Sequence, residues 1–123
     1  MTHIAGAAPC VVTGDFNTGT RSRPYRTLLA EPSPPAASLT DVFRAAHPVA
    51  RRKEGTYHFF TGRRGGRRMD WILASPHFET ISCNIDRTRG PHGYPSDHFP
   101  VTATLRFKGT PLISSTATKT KVR

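Results

Sequence analysis

The sequence predicts an α/β fold, a mainly antiparallel sheet with short flanking helices. Three observations carry this. Residues 99–107 alternate strictly, with Phe99, Val101, Ala103, Leu105 and Phe107 on one side and Thr102, Thr104 and Arg106 on the other, the period of a half-buried strand. Two runs rich in β-branched and aromatic residues, Thr56 to Thr61 and Arg67 to Ala74, flank the turn Gly62-Arg63-Arg64-Gly65-Gly66 and should pair as a hairpin. Helical spacing is confined to the first half of the chain, so helices and strands should separate into layers. At 123 residues the chain makes one domain at most.

The elements follow in order. Residues 1–8 are small and mixed and read as a frayed end. Strand one spans Cys10 to Gly14. Ser22 can cap a short helix with Pro24 in its first turn. Tyr25, Leu28 and Leu29 share one face of that helix, which should pack on a sheet. Pro32, Pro34 and Pro35 end it in a stiff loop. Ser38-Leu39-Thr40-Asp41 reads as a capping box, and Leu39, Val42, Phe43 and Ala46 follow at helical spacing until Pro48. Arg51-Arg52-Lys53 is a basic loop.

In the returning strand of the hairpin, Met69, Trp71 and Leu73 share one side, and Asp70 and Ile72 take the other. An acid on so apolar a strand needs a partner or carries a desolvation cost. Ile81, Cys83 and Ile85 alternate with Ser82, Asn84 and Asp86 as a half-buried strand, and Arg87 to Pro95 is a loop. His98 starts the last strand and should point away from its main apolar face. The tail from Lys108 is rich in Ser, Thr and Lys and predicts disorder, giving a domain over 1–107 and a tail over 108–123.

Three stretches carry chemistry. Gly14-Asp15-Phe16-Asn17 lies where strand one emerges into a turn, a position at which rigid elements place polar groups well. Gly14 permits a close approach of backbone to ligand. Asp15 can accept a proton or hold a cation, and Asn17 can donate to a developing oxyanion. The same residues also read as an Asx turn closing a strand. Arg68-Met69-Asp70-Trp71-Ile72-Leu73 sets a second acid in an apolar strand, where pairing with Arg67 or Arg68 is the simpler reading. Pro95-Ser96-Asp97-His98-Phe99-Pro100-Val101 brings an acid and an imidazole to a strand start.

Together, and in this order, the three stretches resemble the endonuclease/exonuclease/phosphatase (DNase I-like) superfamily, with its GDFN, (I/M)D(W/Y)(I/L)L and SDH-type motifs. Gly55-Thr56-Tyr57-His58-Phe59-Phe60 is similar to the T(F/Y)H-type strand found before the second motif. The likeness runs from about Pro9 to Phe107 and covers only the C-terminal half of the family pattern; the earlier half, with a metal-binding Glu, an Asn and a second catalytic His, has no counterpart here. It implies half of a DNase I-like two-sheet sandwich, roughly one sheet and its helices. The inner face of that sheet would need a partner, so a homo-oligomer or completion by another chain is expected.

The resemblance also implies roles. Asp15 would be the general base, Asn17 would orient it and the phosphate, and Asp70 would hold His98 oriented and cationic against the scissile phosphate. Asp97 would help hold Mg2+ or Mn2+. The implied activity is metal-dependent phosphodiester hydrolysis; the alternative is a basic binding remnant that has lost its chemistry. Arg63, Arg64, Arg67 and Arg68 flank the hairpin turn and read as phosphate contacts or as a solvated loop. His58 reads as a packed strand residue or as one within reach of the substrate.

Composition agrees with an anionic partner. Lys and Arg number 18 against 8 Asp and Glu, a net charge of +10 with His neutral, which favours nucleic acid and other phosphorylated ligands. Cys10 and Cys83 both fall in predicted strands and read as buried reduced thiols, with a disulfide left open. Cys and His lack zinc-site spacing. No apolar run approaches the ~20 residues that span a bilayer. Met1 to Ala8 lacks the features of a secretion signal, which favours the cytoplasm.

Overall fold

The computed structural model describes residues 8–30, 38–108 and 117–122. The prolines at 32, 34 and 35 lie outside them. Two three-stranded antiparallel sheets carry the fold. The first has the order β1-β3-β2, from β1 (Val11–Asp15), β2 (Thr40–Asp41) and β3 (Asp70–Ala74). The second has the order β4-β5-β6, from β4 (Phe78–Ile85), β5 (Val101–Phe107) and β6 (Ala117–Val122). Helices α1 (Arg23–Leu29) and α2 (Val42–Ala46) are short. The predicted class holds, but the chain supplies strands to two sheets rather than to one.

The core lies between α2, β3, β4 and β5. Val42, Ile72, Phe99, Val101 and Leu105 are each at most 1% exposed there. On the other face of β3, Trp71 stacks on Phe16 at 4.3 Å and meets the Tyr25 ring edge-on at 5.0 Å. α1 docks by this aromatic contact. Ser22 caps it, accepting from the Tyr25 backbone N–H, and a proline stands in its first turn, as the sequence predicts. No face of β3 is left bare, since all five of its residues are buried.

Several expectations are corrected. The cap of α2 is Asp41, whose carboxylate accepts from the Phe43 and Arg44 backbone N–H groups. Ser38 and Leu39 precede the helix, because residues 40–41 are spent pairing with β3. Thr56 to Thr61 is not a strand. Tyr57 makes one isolated bridge, to His98, and the chain then turns through Phe59, Phe60 and Gly62 at positive φ. The hairpin survives as backbone bonds from Gly55 to Arg64 and from Thr56 to Arg67. It closes so tightly that a Cβ on Gly66 would overlap the Tyr57 carbonyl. Ile81 is exposed because the register shifts between Thr80 and Ser82, and a bulge re-aims the side chain it contains. Residues 117–122, in the stretch that the sequence assigns to the tail, pair with β5 as β6. Cys10 is exposed and Cys83 buried, and both are free. Burial pushes the Cys83 thiol up to about 12.

Candidate active site

Antiparallel pairing places Asp15 opposite Asp70 at the ends of β1 and β3. The GDFN and MDW stretches, 55 positions apart in sequence, thus deliver two carboxylates to one sheet corner. His98 reaches the same corner just before β5. Two backbone bonds hold this approach: the His58 N–H donates to the Asp97 carbonyl at 2.8 Å, and the Phe99 N–H donates to the Thr56 carbonyl at 2.7 Å.

The imidazole lies between the two acids. His98 Nδ1 is 2.7 Å from Asp70 Oδ2, a buried hydrogen bond. His98 Nε2 is 3.6 Å from Asp15 Oδ2, beyond hydrogen-bond length and so open to an incoming group. Asp70 is 1% exposed and its Oδ1 has no hydrogen-bond partner. Burial raises the Asp70 pKa, and the neighbouring His98 only partly opposes this. Asp70 therefore pairs with His98, and not with Arg67 or Arg68. His98 is 7% exposed, and it lies outside the apolar cluster that takes its neighbour Phe99.

Asp15 is held differently. The Asn17 backbone N–H donates to its Oδ1 at 2.8 Å, and Asn17 has φ 55°. The Asx turn is thus real, and it is compatible with function: one oxygen is tied down and the other faces His98. Gly14 is an ordinary strand residue, with space for a Cβ 3.9 Å from the nearest atom.

Asp15, Asp70 and His98 each offer a ligand atom, all within 4.8 Å of one another. This donor set can take part in holding a divalent cation, and the orphaned Asp70 oxygen adds a free acceptor. Asp97, the expected metal ligand, is half-buried and its carboxylate is not in that group.

The basic residues divide. Arg63, Arg64 and Arg67 are exposed. Arg68 is 5% exposed and forms a bidentate pair with Asp41, at 2.6 and 3.2 Å. Its guanidinium also stacks 4.7 Å from the Phe43 ring centroid. Its charge is thus paired within the fold. His58 is fully buried, stacked on Phe99 at 4.1 Å and tilted against Tyr94 at 4.7 Å, and burial lowers its pKa. It offers no surface to a substrate.

Sequence reasoning missed three residues. Thr56 is fully buried, and its hydroxyl accepts from the Met69 and Asp70 N–H groups at 2.9 and 3.3 Å. Tyr57 meets the His98 ring edge-on at 5.2 Å. Asp41 ties Arg68, α2 and the Tyr25 hydroxyl together. Thr56 and Tyr57 lie in the T(F/Y)H segment, and that motif is the signal that marks both positions. A cleft of about 470 Å³ is lined by residues 18–22, Arg51, Arg52, Glu54 and residues 66–68, and not by Asp15, Asp70 or His98. Arg21, Arg51, Arg52 and Arg67 line it, and none forms an ion pair with a described carboxylate.

Comparison with known proteins agrees with this geometry. The endonuclease/exonuclease/phosphatase family profile matches residues 2–98. A crystal structure of an endonuclease/exonuclease/phosphatase from Bacteroides vulgatus superposes with a TM-score of 0.67 at 30% identity, over 85% of this chain. The chain spans 38% of the length of that protein. No curated protein matches the chain. Paired acids and an imidazole at a shared sheet corner, in a fold matched over most of its length, place the chain in the endonuclease/exonuclease/phosphatase family.

Proposed function

We propose that the chain carries the hydrolytic centre of a metal-dependent phosphodiesterase acting on nucleic acid. The observation that supports it most is the His98 ring fixed by Asp70 at 2.7 Å with its other nitrogen open toward Asp15. A phosphate oxygen entering there meets Nε2, which donates to the charge that develops as the phosphoester breaks. Asp70 fixes the ring so that Nδ1 carries its proton toward the carboxylate. Asp15 keeps one oxygen free, and it removes a proton from the attacking water. Asn17, at the exposed turn, orients Asp15 through its backbone.

Mg2+ or Mn2+ is the proposed cation, since such ions use one or two carboxylates and keep several waters. When bound it supplies charge relief on the phosphate oxygens. Asp97, with the acidic corner beside it, would hold it. The arginine-lined cleft supports a polyanionic substrate, because four guanidinium groups without described partners leave positive charge uncompensated. Self-association, also proposed, is best supported at the edge strand β4, where Ile81 is 43% exposed.

The test is hydrolysis of a chromogenic phosphodiester and of plasmid DNA, with and without EDTA. Turnover should vanish with EDTA and fall at least about a hundredfold in His98→Ala. Turnover that survives EDTA, or that is unchanged in His98→Ala, refutes the mechanism. If the wild type binds nucleic acid but never cleaves it, the chain is a binding protein built on this fold.

A further inference from the structure

We propose that the ring of Phe59 is a stacking platform for an unpaired nucleobase next to the hydrolytic centre, so that the substrate is single-stranded or locally unpaired nucleic acid. This rests on the phosphodiesterase reading and adds to it a choice of substrate. Phe59 and Phe60 are consecutive residues with φ 58° and 62°, a left-handed region that bulky side chains rarely enter. Both rings are turned outward by this backbone, at 66% and 63% exposure. Neither strain nor exposure of a large apolar ring aids folding, and such costs gather at functional sites.

The position connects the ring to the chemistry. Phe59 meets Tyr57 edge-on at 6.0 Å, and Tyr57 meets His98 edge-on at 5.2 Å. A recess of about 380 Å³ is lined by Tyr57, Phe59, Thr61 and Arg63. Arg63 is exposed and has no described acidic partner. An aromatic face, a half-buried tyrosine and a free guanidinium, a short step from a phosphate-directed imidazole, match the needs of one base and its phosphate. A base inside a duplex has no free face to offer. The second ring differs: Phe60 packs edge-on to the buried His58 at 6.5 Å and covers it.

The experiment measures binding of the full chain to a fluorescent 12-nucleotide single strand and to the matching duplex, in EDTA to prevent cleavage. Phe59→Gly removes the ring while accepting the positive φ, so the turn is kept. It should weaken single-strand binding about tenfold and leave duplex binding unchanged. Phe59→Trp should restore binding, and its fluorescence should be quenched by the single strand. Equal loss on both forms, or no loss on either, overturns the inference. So does a Phe59→Gly protein that keeps the single strand but no longer binds anionic phospholipid vesicles, which would make the ring a membrane anchor. If His98→Ala abolishes cleavage while Phe59→Gly binds normally, only this inference fails. If Phe59 discriminates single strands but no EDTA-sensitive cleavage occurs, only the hydrolase reading fails.

Discussion

His98 lies between two acids in different surroundings and is hydrogen-bonded to one of them, Asp70. Asp70 is buried and fixed, whereas Asp15 sits at an exposed turn with a side chain 37% accessible. His98→Ala should therefore reduce turnover about a hundred- to ten-thousand-fold, and should lower the melting temperature because it leaves the buried Asp70 carboxylate without its partner. Asp70→Asn should lose a comparable amount, because the imidazole loses the carboxylate that orients it. The double variant should be no worse than the poorer single one, since both act through one ring; kinetics on the three proteins decides this. Asp41 differs in kind. Burial alone would raise its pKa, but the hydrogen bonds and charge of Arg68 overcome that and hold it below 3.8. A depressed folded pKa stabilises the protein above the ordinary carboxylate range, and the contribution is lost as pH falls through the folded value. Asp41→Ala should cost about 3–5 kcal/mol by leaving Arg68 buried and unpaired, and should flatten the acid limb of a stability–pH curve measured by urea unfolding.

The hairpin over residues 55–69 matters at the scale of elements because it carries Thr56 and Tyr57 against Asp70 and His98. Its two arms approach closely enough that Gly66 has no space for a methyl group, whereas Gly65 has open surroundings. Gly66→Ala should cost roughly 1–3 kcal/mol through overpacking and should lower turnover by displacing Tyr57. Gly65→Ala should stay within about 0.5 kcal/mol of the wild type. Paired thermal melts and kcat values check both. Elsewhere, local rules and tertiary demands compete. A run of β-branched and aromatic residues reads as a strand at 56–61, yet the chain turns there, since Phe99 and Asp97 take its backbone bonds. Asp41 caps α2 while its own residue pairs with β3, so the helix begins three residues later than Ser38 suggests.

For the whole molecule, charge and edges govern association. With +10 net charge and a cleft lined by arginines without ion-pair partners among the described residues, nucleic-acid affinity should fall steeply with salt. Each of Arg52→Ala and Arg67→Ala should reduce the slope of log K against log salt by about 1, as a fluorescence titration at several ionic strengths would record. A flat salt dependence would remove phosphate contacts as the source of binding. The face of the first sheet that was expected to need a partner is closed within the chain, by Trp71, Phe16 and Tyr25. Among the described residues no helix is long and apolar enough to cross a membrane. Self-association should then occur at the edge of β4, and Ile81→Lys should abolish it in sedimentation at high concentration.

The order Asp15-Asn17, Asp70, Asp97-His98 was legible because the three motifs are short and local, each placed at the end of a strand that its own alternation marks. The α/β class, the Ser22 cap and the Asp70–His98 pair followed from the same local rules and from the family likeness. Tertiary structure alone decided which basic and aromatic residues are exposed. Arg67 and Arg68 are neighbours of identical chemistry, yet one is exposed and the other is buried against Asp41. His58 and Phe59 are also neighbours, and the polar ring is buried while the apolar one is exposed. Burial depends on partners distant in sequence, such as Asp41 for Arg68 and Phe99 for His58, and residue type does not encode where those partners will be.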